Sequence, residues 1–249
     1  MSDNPRVTSG IPGLDEMLGG GFVPRSAALV RGAPGTGKTT FGLQYLIEGV
    51  QRSEPGLFVS FEEFPQSLYR DAASLGWDLP ALEAQGKLHL LFTSPQVLLH
   101  SLAAPESSIA QRFQAQGIQR VVIDSLTHFT QHTPDPQELR AIYNQVVNAL
   151  RREDVTALYL AEEMRSDYTS EERGRLSFVV DCLIMLRYLE IDSTIQRAMT
   201  ILKMRSSRHD TAIHSYAIGP NGITIGKPLE GKSGLLSGLV KRSMISTVE

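Results

Sequence analysis

The chain has 249 residues, a formal net charge of −3 and a single cysteine. This length suits one α/β domain or at most two small ones, and the small net charge gives no bulk electrostatic reason for binding nucleic acid or a membrane surface. Cys182 alone can form neither an intramolecular disulfide nor a cysteine-based metal site, and no apolar stretch has signal or membrane-span length, so a cytoplasmic protein without membrane partners is expected.

Residues 1–25 precede the first clear strand and are rich in glycine. The run from Gly10 to Gly21 predicts a turn, a short helix and a second, glycine-rich turn. Leu14, Met17 and Leu18 fall on one face of that helix. We therefore expect the helix to dock on the hydrophobic core.

A phosphate-binding motif follows the first predicted strand, which contains Ala27–Val30 and ends at Arg31. The next residues fit the pattern G-x-x-x-x-G-K-[ST] and precede an apolar run with helical spacing, which is the strand, loop and helix order of a P-loop. Glycines let backbone N–H groups face phosphate oxygens, Lys38 can reach the β- and γ-phosphates, and the Thr39 hydroxyl can bind Mg²⁺. The predicted nucleotide contacts here are Gly32, Pro34, Gly35, Thr36, Gly37, Lys38, Thr39 and Thr40.

Two adjacent carboxylates end the second predicted strand, Leu57–Phe61. We expect this strand to lie next to the P-loop strand, which would bring Glu62 and Glu63 to the phosphates. Hydrolysis needs a carboxylate that orients and polarises a water molecule in line with the γ-phosphate. We predict Glu62 as the primary base with Glu63 oriented nearby, since successive strand residues face opposite ways. The alternative is a pair of solvated surface acids.

The fourth predicted strand, Val121–Ser125, follows a third at Leu88–Phe92 and carries a second polar pair. Asp124 ends an apolar run, so its carboxylate is predicted to hold Mg²⁺ together with Thr39. Ser125 is placed to bond a γ-phosphate or the attacking water, or else only a nearby backbone group.

The rest of the chain changes in character near Phe178. Before it we predict a polar loop at Thr127–Pro136, a long helix to about Arg152, a fifth strand at Thr156–Leu160 and a charged segment at Glu162–Arg175. After it, β-prone runs without intervening helices predict antiparallel strands.

These elements predict an α/β fold with a mainly parallel β-sheet flanked by helices and an antiparallel extension at its C-terminal end. Ligands bind such sheets at the carboxyl ends of the strands, where the P-loop, the glutamates and Asp124 would converge. We predict one domain over residues 1–226 and a flexible tail over residues 227–249.

A cationic cluster lies near the end of one of the late strands. Lys203 and Arg205 share one side of that strand by its alternation of period two. Such a pair can neutralise charge on a transferring phosphoryl group, as an arginine finger does. Whether it would reach its own nucleotide or a neighbour's is open at this point, and a solvated basic strand end is the alternative.

Several of these stretches together resemble the KaiC family, within the RecA superfamily of P-loop NTPases. The resemblance extends over about residues 7–226. The stretches that carry it are Gly10–Asp15 with Gly19–Gly21, Phe58–Ser67, Ser74–Leu79, Gly86–Leu88, Ile123–Thr127, and Leu202–Arg205 with His209.

The resemblance implies a single-domain, RecA-like, Mg²⁺-dependent ATPase that assembles as a ring, commonly a hexamer, with ATP between subunits. It implies that Lys203 and Arg205 act in trans on the neighbour's γ-phosphate, that Ser207 and His209 contact the nucleotide from there, and that Ile218 packs on the base. Clock function does not transfer, because the clock protein has two such domains in tandem.

Four functions remain open at the sequence level. The first is a ring-forming regulatory ATPase that signals to an unidentified protein partner. The second is a DNA-repair module of RecA/RadA type, but the loop at Thr127–Pro136 has no Lys or Arg, so nucleic acid is not an expected partner. The third is a Ser/Thr autokinase with Thr169 as a candidate acceptor. The fourth is a nucleotide-gated scaffold with negligible hydrolysis.

Overall fold

The computed structural model describes residues 5–103, 111, 115–131, 133–163, 178–191, 193–230, 232–233 and 241–242. Within these ranges, helices alternate with strands as far as the fifth strand, and four successive strands then complete the sheet. The helices are α1 Leu14–Met17, α2 Lys38–Gln51, α3 Pro65–Ala73, α4 Leu79–Ala84, α5 Pro95–Ala103 and α6 Pro136–Arg152. The strands of the large sheet are β1 Ala27–Gly32, β2 Gly56–Ser60, β3 Leu88–Phe92, β4 Arg120–Asp124, β5 Thr156–Glu162, β6 Cys182–Ile191, β7 Thr194–Met204, β8 His214–Gly219 and β9 Gly222–Pro228.

The large sheet has the strand order β3-β2-β4-β5-β1-β6-β7-β8-β9. The pairs from β3 to β6 are parallel, and the pairs from β6 to β9 are antiparallel. The predicted fold class is therefore confirmed. Two details are wrong: β4 and β5 separate β2 from β1, so the glutamate strand does not adjoin the P-loop strand, and β6 still runs parallel to β1, so the antiparallel part begins at β7.

Hydrophobic clusters on the two faces of the sheet form the core. One cluster includes buried side chains of α1 to α4, and the other includes those of α5 and α6. The predicted helix at Leu14–Met17 docks as expected, with Leu14 fully buried. The alternation of buried strands and helices thus gives a three-layer α/β arrangement, whose sheet is covered on both faces.

Helix α6 shows how local sequence sets an element of this fold. The Asp135 side chain accepts a hydrogen bond from the Gln137 N–H at 2.9 Å, and Pro136 occupies the first turn, where its missing N–H has no helical partner. The face of α6 that packs on the core consists of Leu139, Tyr143, Val146, Val147, Ala149 and Leu150. The preceding stretch, predicted as a polar loop, contains a 3-10 helix over Leu126–Gln131 because Leu126 and Phe129 bury their side chains in the core.

Two stretches that carried predictions lie wholly or mostly outside the described residues. The candidate autophosphorylation site Thr169 and most of the charged segment belong to residues 164–177. For the predicted tail, β9 continues to Pro228, past the boundary at residue 226, and Lys232–Ser233 pairs with Lys241–Arg242 in a small antiparallel ladder.

The late antiparallel strands are attached to the P-loop helix through one polar side chain. The Gln44 amide nitrogen on α2 donates to the Gly10 carbonyl at 2.8 Å and to the Ile223 carbonyl at 3.1 Å, and the Gln44 amide oxygen accepts from the Ile223 N–H at 2.7 Å. Gln44 is buried, and all three bonds satisfy backbone groups that would otherwise be costly to bury. This single residue ties the N-terminal segment, α2 and β9 together.

A buried cation joins β4 to the middle of α2 and to the loop that follows this helix. The Arg120 side chain is 1% exposed and donates through Nη1 to the carbonyls of Thr8 and Tyr45, at 2.7 and 2.9 Å. Its Nε and Nη2 atoms lie 2.6 and 2.5 Å from the Glu54 carboxylate. The guanidinium carbon also lies 4.7 Å from the centre of the Tyr45 ring, a cation–π contact. A buried charge is tolerated here because it is paired and hydrogen-bonded.

We expect Arg120→Ala to lower the free energy of unfolding by about 3 kcal/mol, because it strands a carboxylate and two carbonyls. Urea denaturation followed by circular dichroism measures this. Arg70→Ala is the control, since that side chain is 77% exposed and its pairing with Asp71 contributes about 0–1 kcal/mol. Equal losses in the two variants would contradict the role assigned to Arg120.

Candidate functional site

The P-loop backbone lies between β1 and α2 and needs its glycines. Gly35 and Gly37 have φ of 78° and 93°, a region that favours glycine. A Cβ atom at Gly37 would lie 2.5 Å from Ile218 Cδ1, and one at Gly35 would lie 2.9 Å from the Tyr188 hydroxyl oxygen. The buried Thr36 hydroxyl closes the turn by donating to the Ala33 carbonyl at 2.7 Å. The loop is therefore already in a compact curled form that positions its N–H groups for an anion.

Lys38 points its ammonium into the loop. Lys38 Nζ donates to the Gly32 carbonyl at 3.0 Å and to the Ala33 carbonyl at 3.2 Å, and the residue is 9% exposed. Burial lowers the pKa of this amine, while the charges of Glu162, Asp124 and Glu62 act against that change. The cation is held in place by backbone oxygens that phosphate oxygens could replace.

Thr39 and Asp124 meet as the sequence predicts. The Thr39 hydroxyl donates to Asp124 Oδ2 at 2.8 Å, which joins the start of α2 to the end of β4. Burial raises the pKa of the Asp124 carboxyl, although the Thr39 hydrogen bond and the charge of Lys38 lower it. A hydroxyl beside a carboxylate is a donor set that suits Mg²⁺ bound with nucleotide phosphates, so the residues present fit the predicted ion.

The two glutamates differ strongly in their surroundings. The Glu62 side chain is 75% exposed, and its Oε2 lies 3.4 Å from His128 Nε2. Glu63 is half-buried, its N–H donates to the Ser60 hydroxyl at 3.0 Å, and its Oε2 has no hydrogen-bond partner among the described residues. Burial raises the pKa of Glu63, and the charges of Asp124, Asp71 and Glu62 raise it further.

These groups surround one cavity of about 220 Å³ at the carboxyl ends of β1, β2, β4 and β5. The cavity brings the predicted P-loop, glutamate and Asp124 residues together, although the two glutamates arrive from a strand that is not adjacent to β1. Its lining is Pro34, Gly35, Lys38, Thr39, Ser60, Glu62, Glu63, Asp124, Ser125 and Glu162. Ser60 and Glu162 were not predicted, because a strand-end serine and one acid in a charged segment carry no motif. Thr40 lies just beyond the lining, in the first turn of α2.

Ser125 is 6% exposed and lines the cavity. Its carbonyl accepts the His128 N–H at 3.2 Å, which is a local backbone bond of the 3-10 helix. The side chain therefore has access to the cavity, as the sequence analysis allows.

The cationic pair is not near its own P-loop. In the antiparallel register Lys203 lies opposite Leu183, close to the start of β6, which runs parallel to β1. Leu183 in turn lies opposite Leu29 of β1, and the P-loop begins three residues after Leu29, at Gly32. With β1 two strands away from β7, the backbones of Lys203 and Gly32 are about 14 Å apart. Lys203 Nζ donates to the Val180 carbonyl at 2.7 Å, and Arg205 Nη2 to the Phe178 carbonyl at 2.9 Å. Both side chains thus lie at the amino-end edge of the sheet.

The other predicted nucleotide contacts divide between the two edges. The Ser207 hydroxyl accepts from Arg6 Nη2 at 3.0 Å, in the loop after β7 that also carries His209. That loop packs on the glycine turn, where a Cβ at Gly19 would lie 2.8 Å from the Arg208 carbonyl oxygen. Ile218 instead lies against the P-loop of its own chain, beside the position of Gly37.

The antiparallel strand β8 supports the P-loop directly. The Tyr216 hydroxyl donates to the Thr36 carbonyl at 2.5 Å, and Tyr216 is 6% exposed. Burial raises the pKa of this phenol above its already high ordinary value, so the hydroxyl remains a donor well into the alkaline range. No local sequence signal indicated this contact, since it joins residues from the two ends of the fold.

Comparison with known proteins places this geometry in a family. The family model described as "ATPase: KaiC" matches residues 7–230. The chain belongs to the KaiC-like ATPase family. A KaiC-like protein from the hyperthermophilic archaeon Pyrococcus horikoshii is 32% identical in sequence, and its crystal structure superposes with a TM-score of 0.79. The superposition includes 90% of this chain and 99% of that chain.

Curated relatives within the KaiC-like family are of two lengths. The circadian clock protein KaiC3 of Synechocystis is 32% identical in an alignment of 250 positions that covers 100% of this chain but 49% of that protein. A UPF0273 protein of Pyrococcus horikoshii is 32% identical in an alignment of 237 positions that covers 88% of this chain and 93% of that protein. The chain thus spans about half the length of the clock relatives and nearly all of the archaeal one.

In the part of the chain that the structure describes, none of the helices is long and apolar enough to cross a lipid bilayer.

We expect Asp124→Asn to raise the melting temperature of the nucleotide-free protein near pH 8 by about 2–4 °C, or ~1 kcal/mol for a chain of this size. Burial raises the pKa of the Asp124 carboxyl in the folded state above its value in the unfolded chain. The favourable contribution of this group to the free energy of unfolding is therefore fully present below the unfolded-state pKa, and it is lost as pH rises through the folded-state pKa. Asparagine cannot ionise and keeps an oxygen for Thr39.

Differential scanning fluorimetry between about pH 4 and pH 8 measures this, and the gain should shrink toward the acid end. Asp71→Asn is the control, because that side chain is 55% exposed. A melting temperature that is unchanged or lower at every pH would contradict the expectation.

Proposed function

We propose that this chain binds ATP with Mg²⁺ in the cavity at the carboxyl end of the sheet and hydrolyses it. The observation that supports this most directly is the meeting of Lys38, Thr39, Asp124 and the two glutamates around one cavity. P-loop ATPases need a phosphate cradle, a hydroxyl and carboxylate for the metal, and a carboxylate for water. Membership of the KaiC-like ATPase family supports the same reaction.

Each residue has a defined task in the proposed reaction. Hydrolysis joins a water oxygen to the γ-phosphorus and breaks the bond to the β–γ bridging oxygen, so that ADP and phosphate leave. Glu62 orients that water and accepts its proton, since it is exposed to solvent and borders the cavity. Lys38 exchanges its carbonyl partners for phosphate oxygens. Thr39 and Asp124 would hold Mg²⁺, which neutralises phosphate charge when bound.

Glu63 supports Glu62 in this scheme. Its half-buried carboxyl and raised pKa favour the protonated form more than in an exposed acid. The Glu63 carboxyl is also less open to an attacking water molecule than that of Glu62, whose side chain is 75% exposed. We therefore keep Glu62 as the primary base.

We expect Glu62→Gln to lower ATP turnover about 100-fold or more and to change nucleotide affinity only a few-fold, because it removes the base but not the phosphate cradle. Lys38→Ala should instead weaken binding itself. Phosphate release and fluorescent-nucleotide titration measure the two effects. Glu16→Gln on α1 is the control, an exposed acid far from the cavity. Turnover that Glu62→Gln leaves unchanged would favour a nucleotide-gated scaffold.

We also propose that a second copy of the chain completes the site. Lys203 and Arg205 lie on the edge of the sheet opposite their own P-loop and hold their side chains there. They can therefore serve a phosphate only across an interface that joins the amino-end edge of one copy to the carboxyl-end edge of the next. Such a head-to-tail contact gives a ring when its rotation closes, and a hexamer is the form that the family resemblance favours.

We expect ATP with Mg²⁺ to convert the wild-type chain from a small species to a ring, and Arg205→Ala to reduce that assembly. Multi-angle light scattering with and without nucleotide measures the mass. Lys87→Ala is the control, because Lys87 is an exposed cation immediately before β3, at the same amino-end edge. A monomer under all conditions would contradict a composite site while leaving ATP binding open to its own test.

A further inference from the structure

A histidine outside every motif contacts the predicted base. His128 lies on the 3-10 helix that follows β4, and its Nε2 is 3.4 Å from Glu62 Oε2. Within the described ranges, no lysine, arginine or second histidine lies within ion-pair distance of Glu62. The contact joins two segments that enter the cavity from neighbouring strands, β2 and β4.

The two partners differ in how firmly they are held. The His128 side chain is 22% exposed, and its ring meets the Phe61 ring nearly edge-on, with centroids 6.0 Å apart. The backbone N–H of His128 donates to the Ser125 carbonyl at 3.2 Å, which fixes the main chain that carries the ring. The next residue, Phe129, is fully buried and packs edge-on against Phe61 at 5.5 Å. Glu62, in contrast, is 75% exposed, so its carboxylate would otherwise sample several rotamers.

The chemistry of the pair suits positioning. An imidazole Nε2–H can donate to a carboxylate in the neutral ring as well as in the cation, so the contact does not require a charged histidine. One carboxylate oxygen faces the ring, which leaves the other for water. The 3.4 Å separation exceeds that of a formed hydrogen bond, and such catalytic contacts commonly shorten when substrate binds.

The contact also separates the roles of the two glutamates. Glu63 buries its Oε2 atom, its backbone N–H donates to the Ser60 hydroxyl, and among the described residues it makes no ion pair with His128. Only Glu62 is both exposed to water and held by a second side chain.

We infer that His128 is a positioning residue, which holds the Glu62 carboxylate toward the phosphate cavity and so contributes to turnover rather than to nucleotide binding. This inference rests on the proposed ATP hydrolysis. It assigns a task to a residue that is not itself part of the cavity lining and that belongs to neither the P-loop nor the metal-binding sequence, but that contacts the lining through Glu62.

The test compares His128→Ala with His128→Gln. Losing the contact should lower kcat about 10- to 100-fold with KM for ATP unchanged within about two-fold, because misplacing a catalytic group affects the reacting state more than binding. Glutamine places a donor nitrogen at a similar reach and should restore most of the rate. His100→Ala, an exposed histidine on α5, is the matched control.

A second background separates positioning from a purely structural role. In Glu62→Gln protein, His128→Ala should cause no further loss of kcat, because the group that it positions is already gone. Three results would each overturn the inference. The first is an equal fold-loss of kcat from His128→Ala in wild-type and Glu62→Gln protein, the second is a His128→Gln variant as slow as His128→Ala, and the third is a wild-type kcat in His128→Ala. Wild-type protein that binds nucleotide but releases no phosphate would instead refute the proposed hydrolysis.

Discussion

Parallel pairing of six strands is the constraint on which the rest of this structure depends. It directs the carboxyl ends of β1, β2, β4 and β5 to one edge and sets their relative heights. Ser60 pairs with Asp124, and Gly32 pairs with Glu162, so the strand ends reach the cavity at matching levels. The hydrogen bond from Thr39 to Asp124 then connects this edge to the helix that follows the P-loop. Residues from distant parts of the chain share a cavity because of register.

The same edge concentrates groups whose ionised forms are disfavoured by burial. Burial lowers the pKa of Lys38 and raises those of Asp124 and Glu63, so each is driven toward neutrality. The attraction between Lys38 and Asp124 only partly offsets that burial, and the charge of Asp124 further disfavours ionised Glu63. Sites of this kind are commonly less stable than an apolar replacement would be, and the fold retains them for their chemistry.

The sequence predicted the features that depend on contiguous residues, but it did not predict which strands are neighbours in the sheet. The P-loop, the five early strands and Asp124 each follow from a contiguous pattern, and the structure has them at these positions. The place of β2 was wrong, because a crossover can skip neighbouring strands without any mark in the residues that form it. His128 was overlooked for a related reason: one histidine in a polar stretch has no spacing, and its importance arises only when Phe61 and Glu62 fold against it.

The bonds from Tyr216 to Thr36 and from Gln44 to Ile223 have a consequence for synthesis of the chain. A ribosome makes the P-loop well before β8 and β9, since domains are built from the N-terminus onward. Until those late strands dock, the loop lacks the hydroxyl that secures it and the residues that pack beside Gly37. A nascent or truncated chain therefore carries the P-loop motif in its sequence but not in its final shape, and the loop takes the form described here only once the late strands have docked.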